Sequence, residues 1–411
     1  MEQKSYSNSL WKNRDFLLLW SGQTLSSVGT AVSLLAFPLL ILAVTHSPAQ
    51  AGFISAMRSL TYLLFVLPAG ALVDRWDRKR VMIVCDSARL LGMASIFFLG
   101  ISGKLTIEVL YITGFIDVLF GTFFSIAEVT CLPQVVDKEQ LPSAMGYTQA
   151  TVGIMNLLGS PLGGLLFSIQ MVVPFLTDAI TYLFSLCSLL LMRVPFQEQR
   201  EATKQHLLKD IVEGLGWLWR QPLLRAMALT TAGNVFFGAG QTLIIIIIAQ
   251  SQQASSEVIG IILSIGGIGG IIGSMVATKV QRHVRFAFVI LGILWLDVLL
   301  WMPLILLPAP LLLGCIVGFS YLLSPIYNIV NIGYRFKLTP DVLRGRVNSV
   351  SRLISNGLAP LGLTLTGLLL QYAGPKTTVL LAVIGQLVLA LFAMLSRSIR
   401  HAHTLDISQH N

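Results

Sequence analysis

Charge is what this sequence has least of. Asp, Glu, Lys and Arg make up only 11% of its 411 residues, against about 25% in soluble domains, which excludes a water-soluble fold of this size. Cysteine is also thin. Cys85, Cys131, Cys187 and Cys315 are scattered and form no Cys-x-x-Cys pair, so neither a disulfide framework nor a zinc knuckle organises the chain. The six histidines include no His-Glu-x-x-His arrangement, and His401 and His403 stand in a polar tail, so no metal centre is indicated. A phosphate-binding Gly-x-x-x-x-Gly-Lys loop is missing too, which argues against ATP as a direct energy source. No nucleophile constellation suggests an enzyme, and no cofactor is implied.

Apolar residues, by contrast, make up 55% of the chain, and there are 35 glycines, a residue that lets membrane helices approach closely. The formal charge is +9, but no soluble basic module carries it, so nucleic acid is not an expected partner. The excess reads as loop charge on one side of a membrane, in reach of anionic lipid headgroups. After a polar stretch over 1–15, the first apolar run extends to about residue 44, far past the ~7–15 residues of a signal-peptide core.

Spans of about 20 apolar residues fall at 16–44, 50–73, 81–101, 105–129, 144–168 and 171–193, then at 224–249, 257–279, 286–307, 309–332, 348–372 and 376–396. None shows the alternation of a membrane β-strand. The expected fold class is an all-α membrane protein: twelve transmembrane helices in two pseudo-symmetric six-helix bundles, 1–193 and 223–411, joined by a cytoplasmic linker, 194–222. In that linker Leu207, Leu208, Ile211, Val212, Leu215, Trp217 and Leu218 alternate with Lys209, Asp210 and Glu213, the pattern of an amphipathic helix along a membrane surface or packed on the bundle.

With the N-terminus inside, the cytoplasmic segments hold 24 Lys and Arg, while the external loops hold Lys104 and Lys376 alone. Short loops rich in Lys and Arg stay in the cytoplasm, so both termini are expected there, in the inner membrane. The densest knot is Asp74-Arg75-Trp76-Asp77-Arg78-Lys79-Arg80, after Gly70 and between spans 2 and 3. Six charges in seven residues cannot enter hydrocarbon. A weak repeat relates the halves: Gly146…Pro161-Leu162-Gly163 aligns with Gly345…Pro360-Leu361-Gly362 at an offset of 199, and separately Gly70…Asp74 has a faded counterpart in Gly273…Ala277. Parallel six-helix repeats are a transporter architecture.

Here the residues resemble a known family. Gly70-x-x-x-Asp74-Arg75-x-x-Arg78-Lys79 is similar to the signature loop of the major facilitator superfamily. Asn13-Arg14-Asp15-Phe16, Asp86-x-x-Arg89, Glu213-Gly214-x-x-Trp217-Leu218-Trp219-Arg220 and Leu343-Arg344-Gly345-Arg346-Val347 resemble its macrolide-efflux and enterobactin-exporter branch. The resemblance implies an alternating-access carrier. In it the loop acid Asp74 would cap helix 11 near Arg344–Asn348, while Arg78 would reach Asp74 and Glu128. Gly159-Ser160-Pro161-Leu162-Gly163-Gly164 partly matches the bent helix 5 of exporters in this superfamily, and a Pro among glycines bends a helix.

Ionisable groups inside the spans are functional candidates by default. Asp86 and Arg89, three apart, are expected to neutralise each other; Asp178 and Asp297 are read as supports. Asp117 falls mid-way along helix 4, a cavity helix in the implied architecture, where relatives often carry Arg. It installs a titratable acid, as proton coupling requires, with Glu128 on the same face as its companion. Substrate-cavity candidates are Gln23, Arg58, Asn234, Gln241, Asn328 and Asn331, with Phe37, Phe124, Phe236, Phe237 and Tyr327 as apolar neighbours. The resulting expectation is a monomeric secondary exporter of amphipathic small molecules, such as macrolide-like drugs or siderophores, by proton antiport. The alternative is a lipid or lysolipid translocator of the same fold.

Overall fold

Apolar runs of this length become helices in a bilayer because each backbone N–H and C=O must find a partner within its own segment. The computed structural model describes residues 10–193, 207–307, 309–400 and 402, and every regular element among them is a helix. The tail with Lys4, linker residues 194–206, and the tail with His401 and His403 lie outside the described residues.

Six long helices come first: α1 (Arg14–Thr45), α2 (Pro48–Val73), α3 (Arg78–Ile101), α4 (Ile107–Val135), α5 (Leu141–Ile169) and α6 (Val173–Leu191). The amphipathic stretch forms α7 (Leu207–Arg220). Next, α8 (Pro222–Gly238) and α9 (Gln241–Ser251) make one span, followed by α10 (Ser256–His283), α11 (Phe286–Trp301) and α12 (Pro310–Leu338). Another span is split into α13 (Arg344–Gly357) and α14 (Ala359–Tyr372), before α15 (Gly374–Leu395) and the short α16 (Arg397–Arg400). Among the described residues eleven spans are long and apolar enough to cross a membrane, and α5 makes twelve when its parts, Leu141–Met155 and Leu157–Ile169, count as one. Those parts bend by 42°. The bend expected at Pro161 thus falls a turn earlier, because a proline leaves the carbonyl four residues back, that of Leu157, without its donor and crowds it.

Two compact units emerge: Met1–Leu40 with Leu64–Thr203, and Ile41–Leu63 with Lys204–Asn411. The turn between α1 and α2 thus belongs with the second unit, where Gly52 and Gly367 pack backbone to backbone and Ser47 Oγ donates to Gln371 Oε1 at 2.9 Å. The division at 193 and 223 remains a proposal about the repeat.

In the first unit Asn13 caps α1 by accepting from Phe16 N–H (3.1 Å), the usual service of an N-cap amide. Its Nδ2 donates to the carbonyl of Val135 at the end of α4 (2.7 Å), and Asp15 accepts from Arg193 N–H after α6 (3.0 Å). The Asn-Arg-Asp-Phe motif therefore ties three helix ends together. In the second unit Arg346 on α13 pairs with Glu213 on α7 (2.7 Å), and Gly214 lies against the Arg346 carbonyl. The two branch motifs meet there. Both partners of the ion pair are partly exposed, so it contributes about 0–1 kcal/mol; the close backbone approach does more to seat α7. Buried Leu218 faces the bundle, whereas Val212, Leu215 and Trp219 form an exposed apolar stripe.

The repeat is realised as the same contact twice. A side chain at Gly163 on α5 would meet the carbonyl of Val32 on α1, and one at Gly362 on α14 would meet the carbonyl of Phe236 on α8. Span 5 thus packs on span 1 as span 11 packs on span 7, and small residues are what allow helices so close. Gly159, one turn before Gly163, similarly abuts Ala31, and Gly164 is buried beside it.

Candidate functional site

The loop between α2 and α3 is held mainly through helix ends. Asp77 caps α3 by accepting from Arg80 N–H at 3.1 Å. Buried Arg78 donates to the Thr130 carbonyl of α4 (3.0 Å), and Lys79 Nζ donates to the Met192 carbonyl just after α6 (2.6 Å). The last carbonyls of a helix lack intrahelical partners and carry its negative dipole end, so Lys79 fastens the loop to the end of α6, while Arg78 ties it to the last two turns of α4. The pairing expected from the resemblance is thereby corrected. The bond given to Arg78 goes to a backbone carbonyl two residues past Glu128, and Asp74 and Glu128 make no ion pair among the described residues. Asp74 and Arg75 are exposed, and Gly70 has open space beside its Cα. The counterpart in the second half is no loop: Gly273 packs on the Leu322 carbonyl and buried Ala277 lies inside α10.

Deeper in the first unit, Arg89 does not pair with Asp86 as its spacing suggests. Its Nε donates to Asp117 Oδ1 at 3.1 Å, with both side chains about nine-tenths buried. The guanidinium also donates to Thr30 Oγ1 (3.4 Å) and lies 4.3 Å over the ring of Tyr182, whose hydroxyl donates to Asp117 Oδ1 at 3.4 Å. Gly121 leaves room for it: a Cβ there would sit 3.5 Å from Arg89 Cζ. Asp86 instead accepts from Ser185 Oγ on α6 at 2.5 Å, and its other oxygen has no partner.

Asp178 is fully buried beside Gly29, Ser33 and Tyr182, yet neither of its oxygens makes a hydrogen bond of ordinary geometry. Asp117, Asp178 and Asp86 all act electrostatically on Arg89, and Glu128 lies within the field of Asp86. Tyr182 and Ser185, missed in the sequence, complete a stripe with Asp178 at i, i+4 and i+7 on α6. That helical spacing of polar groups in an apolar span was the available signal. Gln23, a substrate candidate, is engaged inside the bundle, donating to Ser185 Oγ at 3.1 Å.

The second unit holds a cavity of about 210 Å³ lined by residues of α8, α9, α11, α12 and α15. It brings together three predicted residues, Asn234, Gln241 and Asn328, and adds Asp297, Ser320, Ser324 and Gln386. Asn331 is buried off the cavity and donates to Thr231 Oγ1 (3.3 Å), while Arg58 stands half-buried on α2. Of the aromatic neighbours only Tyr327 lines the cavity. Phe37 packs edge-on against Phe175 and Phe124 belongs to the core of the first unit.

Twelve spans in two parallel six-helix repeats, with ionisable groups held inside the bundles, define a polytopic membrane transporter. The family model described as Major Facilitator Superfamily matches residues 19–332, and the chain belongs to that superfamily. The multidrug efflux pump Tap of Mycolicibacterium fortuitum is 27% identical over 399 residues, covering 93% of this chain and 96% of that protein. The enterobactin exporter EntS of Escherichia coli O1:K1 / APEC is 23% identical over 344 residues, covering 82% and 80%. Among solved structures, a bacterial homolog of the human lysosomal transporter Spinster superposes with a TM-score of 0.72 at 14% identity, covering 96% of this chain and 99% of its own. The nucleoside transporter NupG does so with 0.67 at 16%, covering 92% and 98%. Those two likenesses establish the fold.

Proposed function

We propose that the protein is a secondary exporter of amphipathic small molecules, macrolide-like drugs or siderophores, driven by proton entry across the inner membrane. Both termini face the cytoplasm and a single chain is the working unit. The direction and cargo class rest on the likeness to Tap and EntS. The coupling rests on one observation: a single buried guanidinium, Arg89, is faced by Asp117, Asp178 and Asp86. One cation cannot neutralise three carboxylates, and uncompensated charge is expensive inside a membrane, so bound protons complete the balance. A proton arriving at Asp117 weakens its hold on Arg89, which then turns to Asp178 or Asp86. Because these groups sit on α3, α4 and α6, the exchange favours a different packing of the unit. Glu128 lies about 16 Å along α4 from Asp117, at 1.5 Å per residue, and lengthens the acid series toward the charged loop.

The second-unit cavity, about 210 Å³, is below the ~300 Å³ floor of drug-sized sites. Its amides are therefore poor candidates for bulky cargo, and Arg58 is kept as the proposed contact for an anionic group on it. In inverted vesicles, uptake of a fluorescent amphipathic drug is expected to follow an imposed proton gradient and to stop when the gradient is collapsed. Uptake indifferent to the gradient would remove the coupling, and gradient-independent movement of spin-labelled lipid would favour a lipid translocator.

The loop Gly70, Asp74, Arg75, Arg78 and Lys79 is proposed to set the balance between inward- and outward-open states. Asp74→Asn is expected to change the labelling of single cysteines placed on the two sides of the membrane, with transport slowed severalfold. Unchanged labelling on both sides would take the loop out of gating.

A further inference from the structure

The cavity of the second unit is lined mostly by polar side chains, and nothing in the proton-coupling scheme uses it. Its one charged lining group is Asp297, near the middle of the span Phe286–Leu306. Among the described residues this carboxylate makes no hydrogen bond or ion pair, and no Lys or Arg lines the cavity. Tyr327 is the titratable group that faces it across the cavity, from α12.

Several neighbouring hydrogens are committed elsewhere, whereas Gln241 Nε2 is a buried donor without a partner. Thr231 Oγ1 donates to the Met227 carbonyl at 2.9 Å, so it accepts from both Asn331 Nδ2 (3.3 Å) and the Tyr327 hydroxyl (3.1 Å). The Tyr327 oxygen is left with lone pairs only. Gln386 Nε2 donates to Asn234 Oδ1 at 3.3 Å, leaving Gln386 Oε1, buried and unpartnered, on the acceptor side. Gln386 is 3% exposed and Ser320 8%, and Ser320 Oγ also lacks a partner. Buried polar groups are normally satisfied; Gln241 Nε2 is one orphan donor against the Gln386 and Ser320 oxygens and the unpaired carboxylate, so the surplus of oxygens calls for a cation.

We infer that this cavity binds a monovalent metal cation, sodium, held by Asp297 together with the oxygens of Gln386, Ser320 and Tyr327. Hard oxygen ligands suit a hard cation. A single carboxylate balances one positive charge, and no group of three or more His, Cys, Asp or Glu among the described residues is placed to hold a divalent or softer metal. The volume, about seven times the ~30 Å³ of a liquid water, admits the ion with part of its hydration shell. The inference is independent of proton coupling at Arg89 and Asp117.

The test is thermal unfolding of the full chain in detergent, with sodium chloride replacing N-methylglucamine chloride at constant ionic strength. A ligand that binds only the folded state raises Tm saturably with its concentration. We expect such a rise with sodium, a weaker half-saturation with potassium, and no rise in Asp297→Asn. Ser320→Ala, which keeps the cavity shape and removes one oxygen, is expected to weaken half-saturation severalfold, and it serves if Asp297→Asn does not fold. Asp117→Asn should keep the sodium response. The inference is overturned if sodium acts no differently from N-methylglucamine, if its effect survives unchanged in both Asp297→Asn and Ser320→Ala, or if it disappears in Asp117→Asn instead.

Discussion

Asp117→Asn is expected to reduce proton-driven concentrative transport to background while the chain still folds. The amide keeps the size of the carboxylate and its oxygen can still accept from Arg89, but it cannot carry the proton. Arg89→Met should behave differently. It leaves Asp117, Asp86 and Asp178 without their common cation, and removing one partner of a buried pair costs about 3–5 kcal/mol. The double variant Arg89→Met/Asp117→Leu should recover much of that stability, because a buried ion pair replaced by well-packed apolar groups is often no worse than the pair, yet it should remain inactive. Tm in detergent and drug uptake in vesicles read the two effects separately. If Asp117→Asn pumps at the wild-type rate across the pH range, the proton is carried elsewhere.

The second large effect is steric. Gly163→Val and Gly362→Val each drive a branched side chain into a backbone carbonyl, of Val32 and of Phe236 respectively. A carbonyl inside a helix cannot swing away as a side chain can, so the cost is expected at or above the upper end of the ~1–3 kcal/mol usual for overpacking. Even alanine, which in an exposed helix gains up to about 1 kcal/mol over glycine, should be net destabilising at these two positions. Gly146→Ala and Gly345→Ala provide the control. They are also a repeat-related pair, and neither has an atom within 4 Å of an added Cβ. Tm for the four variants should split by packing, with the first pair lowered and the second level or raised. Equal behaviour of all four would mean that the close contacts of spans 5 and 11 do not hold the bundles together.

Much of the fold was legible because a bilayer permits few alternatives. Helix ends at Thr45, Val73 and Leu395 fall within one residue of limits set by apolar run length alone. The offset of 199 between Gly163 and Gly362 was visible too, and the structure gives it a physical meaning as two equivalent glycine-to-carbonyl contacts. The candidate site was less legible. Asp86 and Arg89 are neighbours on one helix face, which favours pairing them by spacing. Across the bundle, however, Asp117 offers Arg89 the closer oxygen and Ser185 gives Asp86 a donor. Asp297 reads as a support because the resemblance places its helix at the periphery, and only the structure shows it lining a cavity with other polar groups.

The sequence by itself determined the class of protein, the number and limits of the spans and the loop carrying most charge, because hydrocarbon length and charge exclusion act locally along the chain. Tertiary structure alone decided which charges meet. Arg89 could answer to Asp86, Asp117 or Asp178, and the choice depends on how α3, α4 and α6 rotate against one another. It also decided that Asn234, Gln241 and Asn328 share a chamber with Asp297 and Gln386, residues from four different spans. Such convergence is a property of packing, in which groups far apart in sequence are selected by geometry, and no spacing rule within one helix encodes it.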